Sequence, residues 1–132
     1  MVPSGMNPPV PSGQGKHVLV VDDDAIWANV ASQILHQAGF VARQAPDYRN
    51  ALEVLESNAP VDVLVTDIVM PDRINGVALG RMARMRRSML PVVYMTAYDI
   101  PGLANEVQGE VLMKPISDRD LVNAVQRAIM RI

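Results

Sequence analysis

Residues 17–27 read His17-Val18-Leu19-Val20-Val21-Asp22-Asp23-Asp24-Ala25-Ile26-Trp27. A short apolar run breaks into three consecutive carboxylates, and a helical pattern begins at once. Continuous Val/Leu runs of this kind mark strands buried on both faces, the habit of parallel sheets. Three later runs repeat the design. Val61–Thr66 ends in Asp67, Leu90–Met95 ends in Thr96, and Val111–Met113 ends in Lys114-Pro115. In open α/β sheets the ligand crevice lies at the carboxyl ends of the strands. Side by side, these four ends gather carboxylates, one hydroxyl and one ammonium. That set suits a divalent cation and a phosphoryl group.

Composition narrows the class. The chain has 132 residues, enough for one domain with a sizeable core. Hydrophobic residues make up 49% and charged residues 20%, a globular balance. A net charge of −2 argues against a general nucleic-acid or membrane surface. Without cysteine there is no disulfide or thiolate-metal framework. No secretory signal and no membrane-length apolar run is present, so a cytoplasmic location is expected. Nine methionines against one Phe and one Trp predict a core packed with flexible side chains.

Between the four runs the chain alternates strand and helix. Met1–Gly15, rich in Pro, Gly and Ser, reads as a flexible tail, and 16–132 as one domain. A helix is predicted over Ala25–Ala38, with Trp27, Val30, Ile34, Leu35 and Ala38 on its apolar face and Gly39 as its left-handed cap. Phe40–Ala45 reads as a weak edge strand. A helix from Pro46-Asp47 to about Ser57 buries Ala51, Leu52 and Leu55. The very apolar run Val61–Thr66 reads as central. Pro71 to Gly76 is loop, and the next helix runs to about Arg87 with Ala78, Met82 and Met85 on one face. Ile100–Gln108 reads as at most a short helix, with Pro101 in its first turn. Ser117-Asp118-Arg119-Asp120 resembles a capping box, opening a helix that buries Leu121, Val125, Ala128, Ile129 and Ile132. The sum is five βα units, hence a doubly wound α/β sheet.

Charge arithmetic sharpens the crevice. Asp22, Asp23 and Asp67 would bring three negative charges together. Like charges about 4 Å apart cost on the order of 4 kcal/mol per pair at an effective dielectric near 20. Lys114 offsets one charge, and a divalent cation brings the sum to zero. All-oxygen ligands, with neither His nor Cys, favour Mg²⁺. One Asp suffices to cap a helix; Asp24 is assigned to that task, and Asp22 and Asp23 to the metal.

These pieces resemble the receiver domain of two-component response regulators. The match consists of Val20-Val21-Asp22-Asp23, Thr66-Asp67-Ile68-Val69-Met70-Pro71 with Gly76, Met95-Thr96-Ala97, and Lys114-Pro115. It spans about residues 16–132. The resemblance implies a flavodoxin-like five-stranded parallel sheet in the order 2-1-3-4-5. It implies that Asp67 takes a phosphoryl group from a histidine kinase or a phosphotransfer protein. Asp23, Asp67 and the Val69 backbone carbonyl would ligate Mg²⁺, with Asp22 acting through water. Thr96, the Ala97 N–H and Lys114 would contact the phosphoryl oxygens, and the peptide before Pro115 would be cis. The output would be altered binding to a partner protein, with a second copy of the chain one candidate. No direct nucleic-acid contact, membrane insertion or catalysis on an outside substrate is implied.

The chain also departs from the family. Three positions before the lysine, where the family often carries Tyr or Phe, stands Val111. The Thr96-to-Lys114 interval is short and contains Pro101 and Gly102, so a short or irregular fourth helix is expected. The loop from Asp67 to Gly76 is one residue longer than usual. Val69 and Tyr98 occupy positions that resemble the family's tuners of aspartyl-phosphate lifetime. Arg81, Arg84, Arg86 and Arg87 read as a solvated helix end compatible with the helix dipole, or else as a site for an acidic partner. Two other functions compete. One is a pseudo-receiver that binds partners without phosphorylation. The other is a Mg²⁺-dependent phosphohydrolase with an aspartyl nucleophile, but Ala25-Ile26 replaces the Gly-Thr or Gly-Val that should follow Asp22-x-Asp24.

Overall fold

The computed structural model describes residues 13–70 and 75–130. Residues 1–12 of the predicted tail, most of the loop from Pro71, and Ile132 lie outside them. Residues 13–15 form a turn whose Gly13 and Gly15 N–H groups donate to the carbonyls of Ala38 and Gly39.

Five strands alternate with five helices. In chain order they are β1 (His17–Val21), α1 (Ala25–Gln37), β2 (Val41–Ala45), α2 (Tyr48–Glu56), β3 (Val63–Asp67), α3 (Gly76–Arg86), β4 (Val92–Thr96), α4 (Leu103–Glu106), β5 (Val111–Met113) and α5 (Asp118–Met130). All pairings are parallel, in the order β2-β1-β3-β4-β5. The most apolar run is the central strand, as its composition predicts. Register pairs Val21 with Thr66, Asp67 with Met95 and Thr96 with Met113, so the polar ends of β1, β3, β4 and β5 share one edge.

Period-two alternation along the strands splits the core. Val18, Val20, Val63, Val65, Val93 and Met95 face α1 and α5, where Ala31, Leu35, Leu121, Ala124 and Val125 meet them. Leu19, Val21, Leu64, Val92 and Tyr94 face α2 to α4, against Ala51, Leu55, Leu79, Ala83 and Leu103. The caps follow the sequence. Asp24 accepts from the N–H groups of Ile26 and Trp27, Asp47 from Asn50, and Ser117 Oγ from Asp120. Gly39 turns the chain out of α1 at φ +93°.

Several helix faces differ from expectation, for one physical reason. On α1, Val30 is 40% exposed while Ala28, Ala31 and Ser32 are buried. On α2, Leu52 is only half-buried. On α3 the buried stripe is Val77, Leu79, Gly80 and Ala83, whereas Met85 is 81% exposed. Small residues let a helix axis approach the sheet, and large apolar residues beside them are left outside. A reading weighted by side-chain size therefore picks a neighbouring stripe. The expected methionine-rich core is likewise replaced by an aliphatic one: Met95 is buried, and Met85, Met89, Met113 and Met130 are exposed. Gly80 has a specific occupant in mind, since a Cβ there would land on the hydroxyl of buried Tyr94.

The basic end of α3 is tied into the fold by hydrogen bonds, although Arg81 and Arg86 stay exposed. Arg87 donates to the carbonyls of Val54, Leu55 and Ser57, closing the last turn of α2. Arg86 pairs with Glu56 at 2.9 Å. Arg81 and Arg84 reach across to the carbonyls of Glu106 and Gln108. They brace the segment around α4, which is a single turn with Pro101 ahead of it in the preceding turn, not inside the helix. No helix among the described residues is long and apolar enough to cross a membrane.

Candidate functional site

β1 delivers Asp22 to the crevice. The residue is 1% exposed. Its Oδ1 accepts from the Asp24 N–H at 2.9 Å, which holds the carboxylate inward while Asp24 caps α1. Its Oδ2 accepts from Lys114 Nζ at 2.8 Å. Asp23, the next residue, is exposed. β3 delivers Asp67, 6% exposed, with Oδ1 3.5 Å from Lys114 Nζ. One carboxylate oxygen from each of Asp22, Asp23 and Asp67 lies within 4.8 Å of the other two. Lys114 reaches them because the end of β5 is tied to β4 by the Lys114 N–H on the Thr96 carbonyl, 2.8 Å. The Lys114-Pro115 peptide is cis.

Backbone geometry holds Asp67 in place. The Ile68 N–H donates to the Met95 carbonyl, continuing the β3–β4 ladder past the carboxylate. The Gly76 N–H donates to the Ile68 carbonyl, so the start of α3 rests on the strand end. A Cβ on Gly76 would collide with the Asp67 carbonyl oxygen and come within 2.8 Å of the Ile68 Cα. Both obstacles are backbone and cannot swing aside, so glycine is required there.

Thr96 is buried at the end of β4. Its Oγ1 accepts from the Tyr98 N–H at 3.0 Å. Ala97 follows on the exposed turn. Val69 stands two residues beyond Asp67 with its side chain exposed, and Tyr98, also exposed, stands two beyond Thr96. The structure thus brings Asp22, Asp23, Asp67 and Lys114 together directly, and sets Thr96, Ala97 and Val69 around the same strand ends.

The charges at the site do not balance. Burial, and then the charge of Asp22, push the Asp67 carboxyl up from 3.8 to about 6, although Lys114 pulls the other way. Three carboxylates and one ammonium leave a surplus of negative charge. The all-oxygen donor set and the 4.8 Å spacing fit Mg²⁺, which binds through one or two carboxylates and keeps several waters.

One contact escapes sequence reasoning. The Trp27 indole covers Lys114, with Nζ 5.4 Å from the ring centroid. The helical periodicity assigned Trp27 to the core, and only its place one turn after the Asp triplet hints at the crevice.

An acidic crevice at the carboxyl edge of a doubly wound 2-1-3-4-5 sheet defines the class of fold and site. The match to the response regulator receiver domain over residues 18–126 is decisive, and the chain belongs to that family. It is 37% identical over 116 residues to the DNA-binding transcriptional regulator NtrC of Escherichia coli (strain K12), covering 85% of this chain and 24% of that protein. It is 31% identical over 121 residues to the alkaline phosphatase synthesis transcriptional regulatory protein PhoP of Bacillus subtilis (strain 168), covering 88% of this chain and 49% of that one. The chain therefore spans about a quarter to a half of these relatives. Among solved structures, a response regulator receiver protein from Sinorhizobium medicae WSM419 superposes with a TM-score of 0.82 at 28% identity, over 89% of this chain and 96% of that one. Receiver domains are typically signalling phosphoacceptors that bind Mg²⁺ at an acidic pocket, and this chain carries a cluster of Asp22, Asp23 and Asp67 at its strand ends.

Proposed function

We propose that residues 16–132 form a receiver that accepts a phosphoryl group on Asp67, with Mg²⁺, from a sensor histidine kinase or a phosphotransfer protein. The observation that carries this reading is the buried Asp67 carboxylate, flanked by two more carboxylates and 3.5 Å from an ammonium. An Asp67 carboxylate oxygen attacks phosphorus, the bond from phosphorus to the donor's imidazole nitrogen breaks, and the imidazole leaves. Asp23, Asp67 and the Val69 carbonyl would hold Mg²⁺, with Asp22 acting through water, and the ion would supply charge neutralisation to the transferring group. Everything else is positioning, which is most of what phosphoryl transfer asks of a protein.

The product carries roughly one more negative charge than the free carboxylate. Lys114 is close enough to meet it. Thr96 Oγ1, bonded to the Tyr98 N–H in this structure, and the Ala97 N–H are further donors at that edge. Turning Thr96 toward the new oxygens releases Tyr98, which links the chemistry to the exposed turn after β4 and hence to partner binding.

The test is incubation with Mg²⁺ and acetyl phosphate, followed by intact mass. Wild type is expected to gain one phosphoryl group and Asp67→Asn none. Equal labelling, or none in either, overturns the reading.

A further inference from the structure

The chain's one tryptophan lies against the site, and its ring is fixed from two sides. Its backbone N–H donates to the Asp24 cap at 3.2 Å, which sets it in the first turn of α1. Its indole N–H donates to Met95 Sδ at 3.4 Å, and Met95 is the buried residue just before Thr96 on β4. The free face of the ring then looks onto Lys114 Nζ, 5.4 Å from the centroid. The ammonium is bounded by Asp22 at 2.8 Å, by Asp67 at 3.5 Å and by this aromatic face.

A lysine head on its four-carbon stem is mobile. Two carboxylates hold the head by charge, and the aromatic face adds a third boundary. An indole face attracts a cation more strongly than other aromatic rings do, and the attraction grows as water is excluded. We infer that Trp27 is a positioning residue for Lys114, confining the ammonium beside Asp67 so that it is in place when the phosphoryl group arrives. The inference rests on the phosphoacceptor reading above. Trp27 touches no reacting atom in this scheme and acts only through the lysine.

The experiment compares labelling rates with Mg²⁺ and acetyl phosphate for wild type, Trp27→Leu, Trp27→Phe and Lys114→Met, and for Trp27→Leu combined with Lys114→Met. Trp27→Leu should slow labelling by about two- to thirtyfold, the span of cation–π strengths converted to a rate. Trp27→Phe, which keeps a flat ring without the N–H, should lose less. In the Lys114→Met background, Trp27→Leu should cost almost nothing more, because the two side chains act as one unit. A merely structural tryptophan would cost the same factor in both backgrounds, and that result overturns the proposal, as does a wild-type rate in both folded Trp27 variants. Far-UV circular dichroism identifies the folded variants. A second readout needs no phosphorylation: Trp27 is the sole indole, so Lys114→Met should change its emission in the unmodified, metal-free protein. Unchanged emission overturns the contact. Absent labelling of wild type together with an emission change would instead overturn the phosphoacceptor reading while upholding the contact.

Discussion

Replacing Asp67 with Asn should make the metal-free protein more stable at pH 8. Burial and the neighbouring Asp22 push the Asp67 carboxyl from 3.8 up to about 6, so the fold disfavours its ionised form. Above about pH 6 the group is ionised in both the folded and the unfolded chain, and the whole penalty applies. As pH falls from 6 toward 4 the folded chain takes up the proton first, and the penalty disappears. The interval, at 1.36 kcal/mol per pH unit, corresponds to about 3 kcal/mol. Asparagine keeps the shape and removes the charge. Lys114 loses one carboxylate neighbour but keeps Asp22 at 2.8 Å. The expected gain is therefore about 1–3 kcal/mol at pH 8, or about 4–12 °C in Tm for a chain of this size. Thermal and urea unfolding in EDTA at pH 4, 6 and 8 measures it. The gap between variant and wild type should be full at pH 8 and nearly closed at pH 4. An unchanged or lowered Tm at pH 8, or a gap that does not vary with pH, would refute the electrostatic reasoning.

Gly80→Ala should destabilise by about 1–3 kcal/mol through overpacking against Tyr94, despite alanine's better helix propensity. In urea titrations the same change should cost less in a Tyr94→Phe background; an equal cost in both would place the strain elsewhere. Mg²⁺ at 100 times its dissociation constant should stabilise wild type by about 2.7 kcal/mol, and Asp23→Asn should lose most of that gain in thermal unfolding. Val69→Asn should shorten the lifetime of the phosphorylated protein, on the proposal that the apolar side chain two residues after Asp67 restricts the attacking water; an unchanged or slower decay by intact mass counts against it.

Four of the five strands were legible in the sequence because each is a short apolar run with a chemical full stop; β2, with Arg43 and Gln44 in it, carried only a weak signal. Their order followed from the family resemblance and not from periodicity. Asp24 as cap, with Asp22 and Asp23 left for the crevice, could be read from the excess of three carboxylates over what one helix start needs; that Asp22 is buried while Asp23 is exposed appears only in the structure. The helix faces were harder. Ala28, Ala31, Gly80 and Ala83 carry little hydrophobic signal, yet they decide which side of α1 and α3 meets the sheet. The role of Gly80 appears only once Tyr94 is seen pointing at it from a strand fourteen residues on. The arginines of α3 looked like a solvated helix end because the acceptors of Arg81, Arg84 and Arg87 are backbone carbonyls of α2 and of the α4–β5 segment, which carry no residue-type signature. Trp27 over Lys114 joins residues far apart in the chain, and neither residue alone announces the other.

The central claim is that the phosphoryl group is carried by the Asp67 side chain. Protein incubated with Mg²⁺ and acetyl phosphate should be treated with borohydride, which reduces an acyl phosphate to the alcohol, then digested and sequenced by mass spectrometry. The account predicts homoserine at position 67 in the phosphodonor-treated sample and aspartate there in the untreated one. Aspartate at 67 in both, with homoserine at another carboxylate such as Asp22 or Asp23, would contradict it.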